Sequence, residues 1–136
     1  DDDVDLQVLS AYRSFGDQAA LKSGYKITYG SGCNAFCADQ GYSEHQRGTA
    51  VDVTVPSLAG ALDGFDKTDA YTWLTKNAYK YGFITSYPVS NAYYEFEPWH
   101  WRFVGTSLAE DLHRHHQNFY DLDQRDINEY LVNFPD

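Results

Sequence analysis

Short segments in which apolar side chains recur at every second residue lie far apart in this chain, and they constrain its fold more than any other feature. Val4, Leu6 and Val8 alternate with polar Asp5 and Gln7. Ala50-Val51-Asp52-Val53-Thr54 sets Val51 and Val53 on one face and Asp52 on the other. Within the aromatic stretch from Tyr93 to Val104, Trp99, Trp101 and Phe103 share a face, with His100 and Arg102 opposite. Phe83 to Tyr87 is a further strand candidate, ending before Pro88. The clearest helical stripe is Ala70, Trp73, Leu74, Ala78 and Tyr81, stopped by Gly82. A shorter helix is expected over Asp17 to Ser23, closed by Gly24. Tyr25 to Gly41 and Pro56 to Lys67 read as loops. Ser107 and Glu110 fit a capping box for a helix running through Leu112, and Ile127, Tyr130 and Leu131 suggest a last one after Asp123. Strands and helices mix without a βαβ rhythm. The expected class is therefore α+β, a mostly antiparallel central sheet flanked by helices, in one domain over residues 1–136.

Composition narrows the partners. Hydrophobic residues at 43%, 17% of the chain being aromatic, are enough for a core despite the acidic run Asp1, Asp2, Asp3 and Asp5. Twenty acidic against 10 basic residues leave a net charge of −10, which argues against nucleic acid or an anionic membrane surface as partner. No stretch reaches the ~18 apolar residues of a membrane span, so no membrane insertion is expected. The two cysteines, Cys33 and Cys37, are open to three readings: free thiols, a local disulfide, or half of a zinc site, the last weakened by the lack of a second pair.

Four residues carry chemistry. His45 lies in the polar loop Gly41 to Gly48, Asp52 on the strand that follows, and Glu97 and His100 in Glu97-Pro98-Trp99-His100-Trp101-Arg102. Two imidazoles and one carboxylate are a zinc ligand set that leaves a fourth position for water, as catalytic sites require. A single ligand charge also leaves the dication net positive, able to acidify water and polarise a carbonyl. Against this, a His beside a Trp is more often packing, and an Asp on a strand more often caps or pairs. Spacing alone does not bring the two halves together. Glu97 suits a general base, but strict alternation puts it on the face opposite His100, so a bend at Pro98 is required. His113, His115 and His116 read as a solvated or dipole-compensating helix end rather than a metal site.

Three motifs in order make the pattern specific. Ser10-Ala11-Tyr12-Arg13-Ser14 with Gln18, Ser43-Glu44-His45-Gln46-Arg47-Gly48-Thr49-Ala50-Val51-Asp52, and Glu97-Pro98-Trp99-His100-Trp101-Arg102 resemble the VanY-type zinc D-alanyl-D-alanine and L,D-carboxypeptidases. That group shares a fold with lysostaphin-type peptidases and the hedgehog signalling domain. The resemblance runs from about Ser10 to Val104. It implies His45, Asp52 and His100 as zinc ligands and Glu97 as catalytic base. Arg13 becomes the cation facing substrate, with Gln18 and Ser43 as further pocket residues. A planar guanidinium suits a terminal carboxylate better than an ammonium does. Arg47, where relatives often carry an uncharged residue, is given no role. The implied reaction is hydrolysis of the C-terminal D-Ala from peptidoglycan stem peptides by a monomer in the cell envelope or outside the cell. The same resemblance leaves open an endopeptidase, as in phage lysins of similar fold, or a zinc-stabilised binding module without turnover.

Overall fold

The computed structural model describes residues 4–89, 91–92 and 94–131. Asp1 to Asp3 of the acidic start, and Tyr93 at the head of the aromatic stretch, lie outside the described residues. Four strands form one antiparallel sheet: β1 (Gln7–Ser10), β2 (Ala50–Thr54), β3 (Phe83–Thr85) and β4 (His100–Phe103), in the order β1-β2-β4-β3. Among the described residues four α-helices accompany it, α1 (Phe15–Tyr29), α2 (Asp69–Asn77), α3 (Thr106–His115) and α4 (Gln124–Leu131). The α+β class with an antiparallel sheet is as expected.

Alternation along β2 and β4 sorts the side chains. Val51 pairs with Trp101 and faces the core. Asp52 pairs with His100 and faces the other side. Val53, Val55, Phe65, Ala70, Leu74, Ala78 and Trp101 form the buried cluster, with Trp73, Trp99 and Phe83 packed on it. The helical stripe thus packs as its spacing predicts from Ala70 to Ala78, whereas Tyr81 is exposed, because the helix has tightened by then. α2 is capped by Thr68 Oγ1, which accepts from the Tyr71 amide at 3.1 Å, and tightens into a 3-10 turn over Ala78–Tyr81. Gly82 ends that turn at φ 82°, with Phe103 close above it.

Several boundaries differ from expectation. β1 begins at Gln7, later than the Val4 repeat suggests. β4 covers only His100–Phe103, and Phe103 is 48% exposed, edge-on to Phe83 at 5.3 Å. α1 runs straight through Gly24 to a C-cap at Gly30, whose amide donates to the Lys26 carbonyl. Its extra turns bring Tyr25 and Tyr29 edge-on to Phe36, each at 5.5 Å. Two such contacts, about 0.5–1.5 kcal/mol each, offset the roughly 1 kcal/mol cost of a mid-helix glycine. The expected loop from Tyr25 to Gly41 therefore begins as helix, through Tyr29. It continues as a 3-10 turn over Gly30–Ala35, tied down by buried Lys22, which donates to Asn34 Oδ1 at 2.7 Å and to the Cys37 carbonyl. The Pro56–Lys67 loop is anchored by fully buried Phe65. α3 starts one residue before Ser107, after Gly105, so Ser107 is already helical and the expected capping box does not form. Asp123 does cap α4, its Oδ1 accepting from the Arg125 and Asp126 amides at 2.7 and 3.1 Å. Both cysteines are buried and carry free thiols.

Candidate metal centre and substrate cleft

His45 sits in a 3-10 turn, Glu44–Arg47, which Gly48 closes in the left-handed region (φ 71°) so that the chain can enter β2. Its Nδ1 donates to the Ala11 carbonyl at 2.7 Å. A carbonyl only accepts, so Nδ1 holds a proton and Nε2 is the nitrogen available to a metal. Nε2 points at Asp52 Oδ2, 3.1 Å away. The β2–β4 register delivers His100 to the other oxygen of Asp52, with Nδ1 3.0 Å from Oδ1. One ligand atom from each of His45, Asp52 and His100 lies within 4.8 Å of the others, and all three residues are buried. Among the described residues this is the one grouping able to hold a metal ion. Exposed His113 instead stacks on Tyr79 at 3.8 Å.

Glu97 reaches this cluster because the chain turns just before β4. The His100 amide donates to the Glu97 carbonyl at 3.2 Å, across Pro98 and Trp99. The required bend is present, and Glu97 Oε2 lies 3.9 Å from His100 Nδ1. Burial pushes the Glu97 carboxyl up to about 7, helped by the negative charges of Asp52, Glu44 and Glu95 and opposed by His100. Burial also disfavours the Asp52 carboxylate, but hydrogen bonds from His100 and His45 outweigh it and bring its pKa down to about 2. For His100 the same bond, with one to Glu44, overcomes burial and raises the metal-free imidazole to about 9.

A cleft of about 230 Å³ opens over these groups, lined by Arg13, Gln18, Ser43, Tyr25, Trp99 and Glu97 among others. Arg13 is held as a fork: Nη1 donates to Gln18 Oε1 at 2.7 Å and Nη2 to Ser10 Oγ at 3.0 Å. Gln18 is itself fixed by donating to the Ala38 carbonyl at 2.8 Å. Gln18 thus orients the arginine, while Ser43 is a buried part of the cleft wall. Arg47 is exposed and Arg102 turns to Glu44, so of the three motif arginines Arg13 alone lines the cleft.

The family model described as "VanY: D-alanyl-D-alanine carboxypeptidase" matches residues 1–106. The chain belongs to the VanY D-alanyl-D-alanine carboxypeptidase family. Among curated relatives, "Putative carboxypeptidase YodJ" of Bacillus subtilis (strain 168) is 37% identical over 111 residues, 78% of this chain and 41% of that protein. A "D-alanyl-D-alanine carboxypeptidase" of Enterococcus faecalis (strain ATCC 700802 / V583) is 40% identical over 88 residues, 57% of this chain and 28% of that protein. The chain therefore spans less than half the length of these VanY-family relatives. Of solved structures, the LdcB LD-carboxypeptidase superposes with a TM-score of 0.75 at 32% identity, covering 96% of this chain and 60% of that one. A variant of the vancomycin resistance D,D-pentapeptidase VanY in complex with Zn(II) gives 0.70 at 28% identity, covering 93% and 71%. VanYB in complex with D-alanine-D-alanine gives 0.71 at 27% identity, covering 98% and 74%.

Sequence reasoning passes over Glu44, although it stands inside a quoted motif. It is 3% exposed and bonded to His100, Ser86, Arg102 and Tyr120. A carboxylate adjoining a candidate ligand is a weak signal in an acidic chain. Nothing in the sequence links it to Tyr120, 76 positions away.

Proposed function

We propose that this chain is a zinc-dependent carboxypeptidase that removes the C-terminal D-Ala from peptidoglycan stem peptides. One observation carries the reading: His45 Nε2, His100 Nδ1 and the Asp52 carboxylate converge in a cleft that also holds Glu97 and the Arg13 fork. The residues fit zinc. Each imidazole has its far nitrogen committed, to Ala11 or to Glu44, leaving the nitrogen beside Asp52 as the one that can ligate a metal. Three protein donors of this type match a catalytic rather than a closed structural site. When bound, zinc supplies a Lewis acid that polarises the scissile carbonyl and lowers the pKa of water.

The chain's own residues supply the rest. Glu97, its pKa near neutrality, takes a proton from the attacking water at its carboxylate and returns it to the leaving amine. Arg13, pinned by Gln18 and Ser10, receives the carboxylate of the terminal residue. Such a substrate puts the enzyme in the cell envelope or outside the cell, and no described helix is long and apolar enough to cross a membrane. The relatives' names support both D,D- and L,D-cleavage. Mass spectrometry of a stem pentapeptide and tetrapeptide mixture, with and without chelator, tests the reading. Free D-Ala released only without chelator is expected, and the substrate consumed separates the two bond types. Cleavage inside the stem with no free D-Ala would overturn the carboxypeptidase reading.

A further inference from the structure

Glu44 receives four donors on one carboxylate, which fills the acceptor capacity of the group. Oε2 accepts from His100 Nε2 at 2.9 Å and from Ser86 Oγ at 2.7 Å. Oε1 accepts from Arg102 Nη1 at 2.8 Å and from the Tyr120 hydroxyl. With donors on both of its oxygens, the carboxyl group acts as an acceptor throughout. His100 therefore holds a proton on Nε2, which makes Nδ1, beside Asp52, the nitrogen that can give up its hydrogen bond to hold a metal.

One of these contacts, Tyr120, comes from beyond the region matched by the family model, which ends at residue 106, and a second residue from there, Phe119, packs on Arg102. Phe119 and Tyr120 belong to the 3-10 turn Phe119–Asp121, which follows α3. The Arg102 guanidinium lies 4.2 Å from the centre of the Phe119 ring. The Tyr120 ring stacks on Tyr87 at 6.2 Å and 5°, and Tyr87 in turn stacks on His100 at 5.0 Å and 30°. Two routes, one of hydrogen bonds through Glu44 and one of stacked rings through Tyr87, thus run from this turn to the same imidazole.

Building on the zinc reading above, we propose that Glu44 and Tyr120 are positioning residues for the metal centre, the Phe119–Asp121 turn holding the ring of His100 in place and fixing which of its nitrogens donates. Neither residue needs to touch substrate. Both act through His100, and hydrogen-bonding partners behind metal ligands are typically worth about 10–100-fold in metal affinity.

The test measures Zn²⁺ affinity by competition with a chromophoric chelator, together with the visible spectrum of the Co²⁺-loaded protein. Glu44→Gln is expected to weaken Zn²⁺ binding by about 10–100-fold and to alter the Co²⁺ bands. Tyr120→Phe, which keeps the ring stack and removes only the hydroxyl, is expected to lose several-fold with a smaller spectral change, and it guards against a Glu44 variant that fails to fold. Tyr130→Phe is the control: it deletes the hydrogen bond from α4 to Asp111 (2.8 Å) in the same C-terminal region without touching the network. It should bind both ions as wild type does. Wild-type affinity and spectrum in Glu44→Gln and Tyr120→Phe would overturn the proposal while leaving the zinc reading intact. Equal losses in Tyr130→Phe would reduce the effect to general loosening of the C-terminal region and overturn it as well. A wild-type protein that binds neither ion would overturn the metal reading, and this proposal with it.

Discussion

Glu97 and Arg13 occupy one cleft but differ in what their removal should do. Glu97 lies 3.9 Å from His100 Nδ1 and is not needed to complete the three-donor set. Glu97→Gln keeps its shape and hydrogen-bonding capacity but cannot take a proton. Turnover is expected to fall by about 10²–10⁴-fold, with zinc content near that of wild type by atomic absorption. Undiminished kcat would remove Glu97 from the base role. In the proposed reaction Arg13 binds rather than reacts, so its loss should be read mainly in KM. Arg13→Lys retains the charge but not the planar fork seated between Gln18 and Ser10. A rise in KM of about tenfold or more is expected, equivalent to one charge-assisted hydrogen bond. An amidated peptide terminus should abolish the difference between wild type and Arg13→Lys, because the group that the fork recognises is then missing.

At the scale of elements, what was legible in the sequence was what repeats. The alternation in Ala50–Thr54 and the stripe from Ala70 to Ala78 fix β2 and α2, because burial on one face forces a period that composition cannot hide. Ends were less legible, since they depend on partners elsewhere: α1 passes Gly24 because Phe36 waits for Tyr25 and Tyr29. The site itself was legible through its three motifs, but the pairing of Asp52 with His100 is a property of strand register that no spacing along the chain encodes. Gly82 tests the link from α2 to that register. A Cβ there would meet Phe103 at 2.7 Å and the Gly105 carbonyl carbon at 3.0 Å, on a backbone at φ 82°. The left-handed conformation alone costs a residue with a Cβ about 1–2 kcal/mol. Gly82→Ala should therefore lower Tm by at least about 4 °C. Because Phe103 sits in β4 with His100, zinc affinity should fall too. A Tm equal to wild type would mean that the turn relaxes freely.

Across the whole molecule, the buried acids make stability depend on pH in opposite directions, and metal changes the balance. Glu44 and Asp52 drop to about 2 in the folded protein from ordinary values of 4.5 and 3.8. An unfolded chain binds their protons first as pH falls. The stability they contribute is therefore present above about 4.5 and lost as pH descends toward 2. Glu97 has the reverse sign. Raised from 4.5 to about 7, it contributes stability below 4.5 that is lost as pH rises through 7. His100, raised from 6.5 to about 9, adds a further loss on the alkaline side, starting near 6.5. The metal-free protein should accordingly show a maximum in Tm near pH 4–5. Glu97→Gln should flatten the limb between about 4.5 and 6.5, where His100 does not yet contribute. Zinc must displace the proton that His100 Nδ1 otherwise shares with Asp52, so protons compete with it. The rise in Tm produced by a fixed, saturating zinc concentration should therefore be larger at pH 8 than at pH 6, following the affinity through mass action. Differential scanning calorimetry at the two pH values measures it directly. A zinc-induced shift independent of pH would place the ion away from these imidazoles.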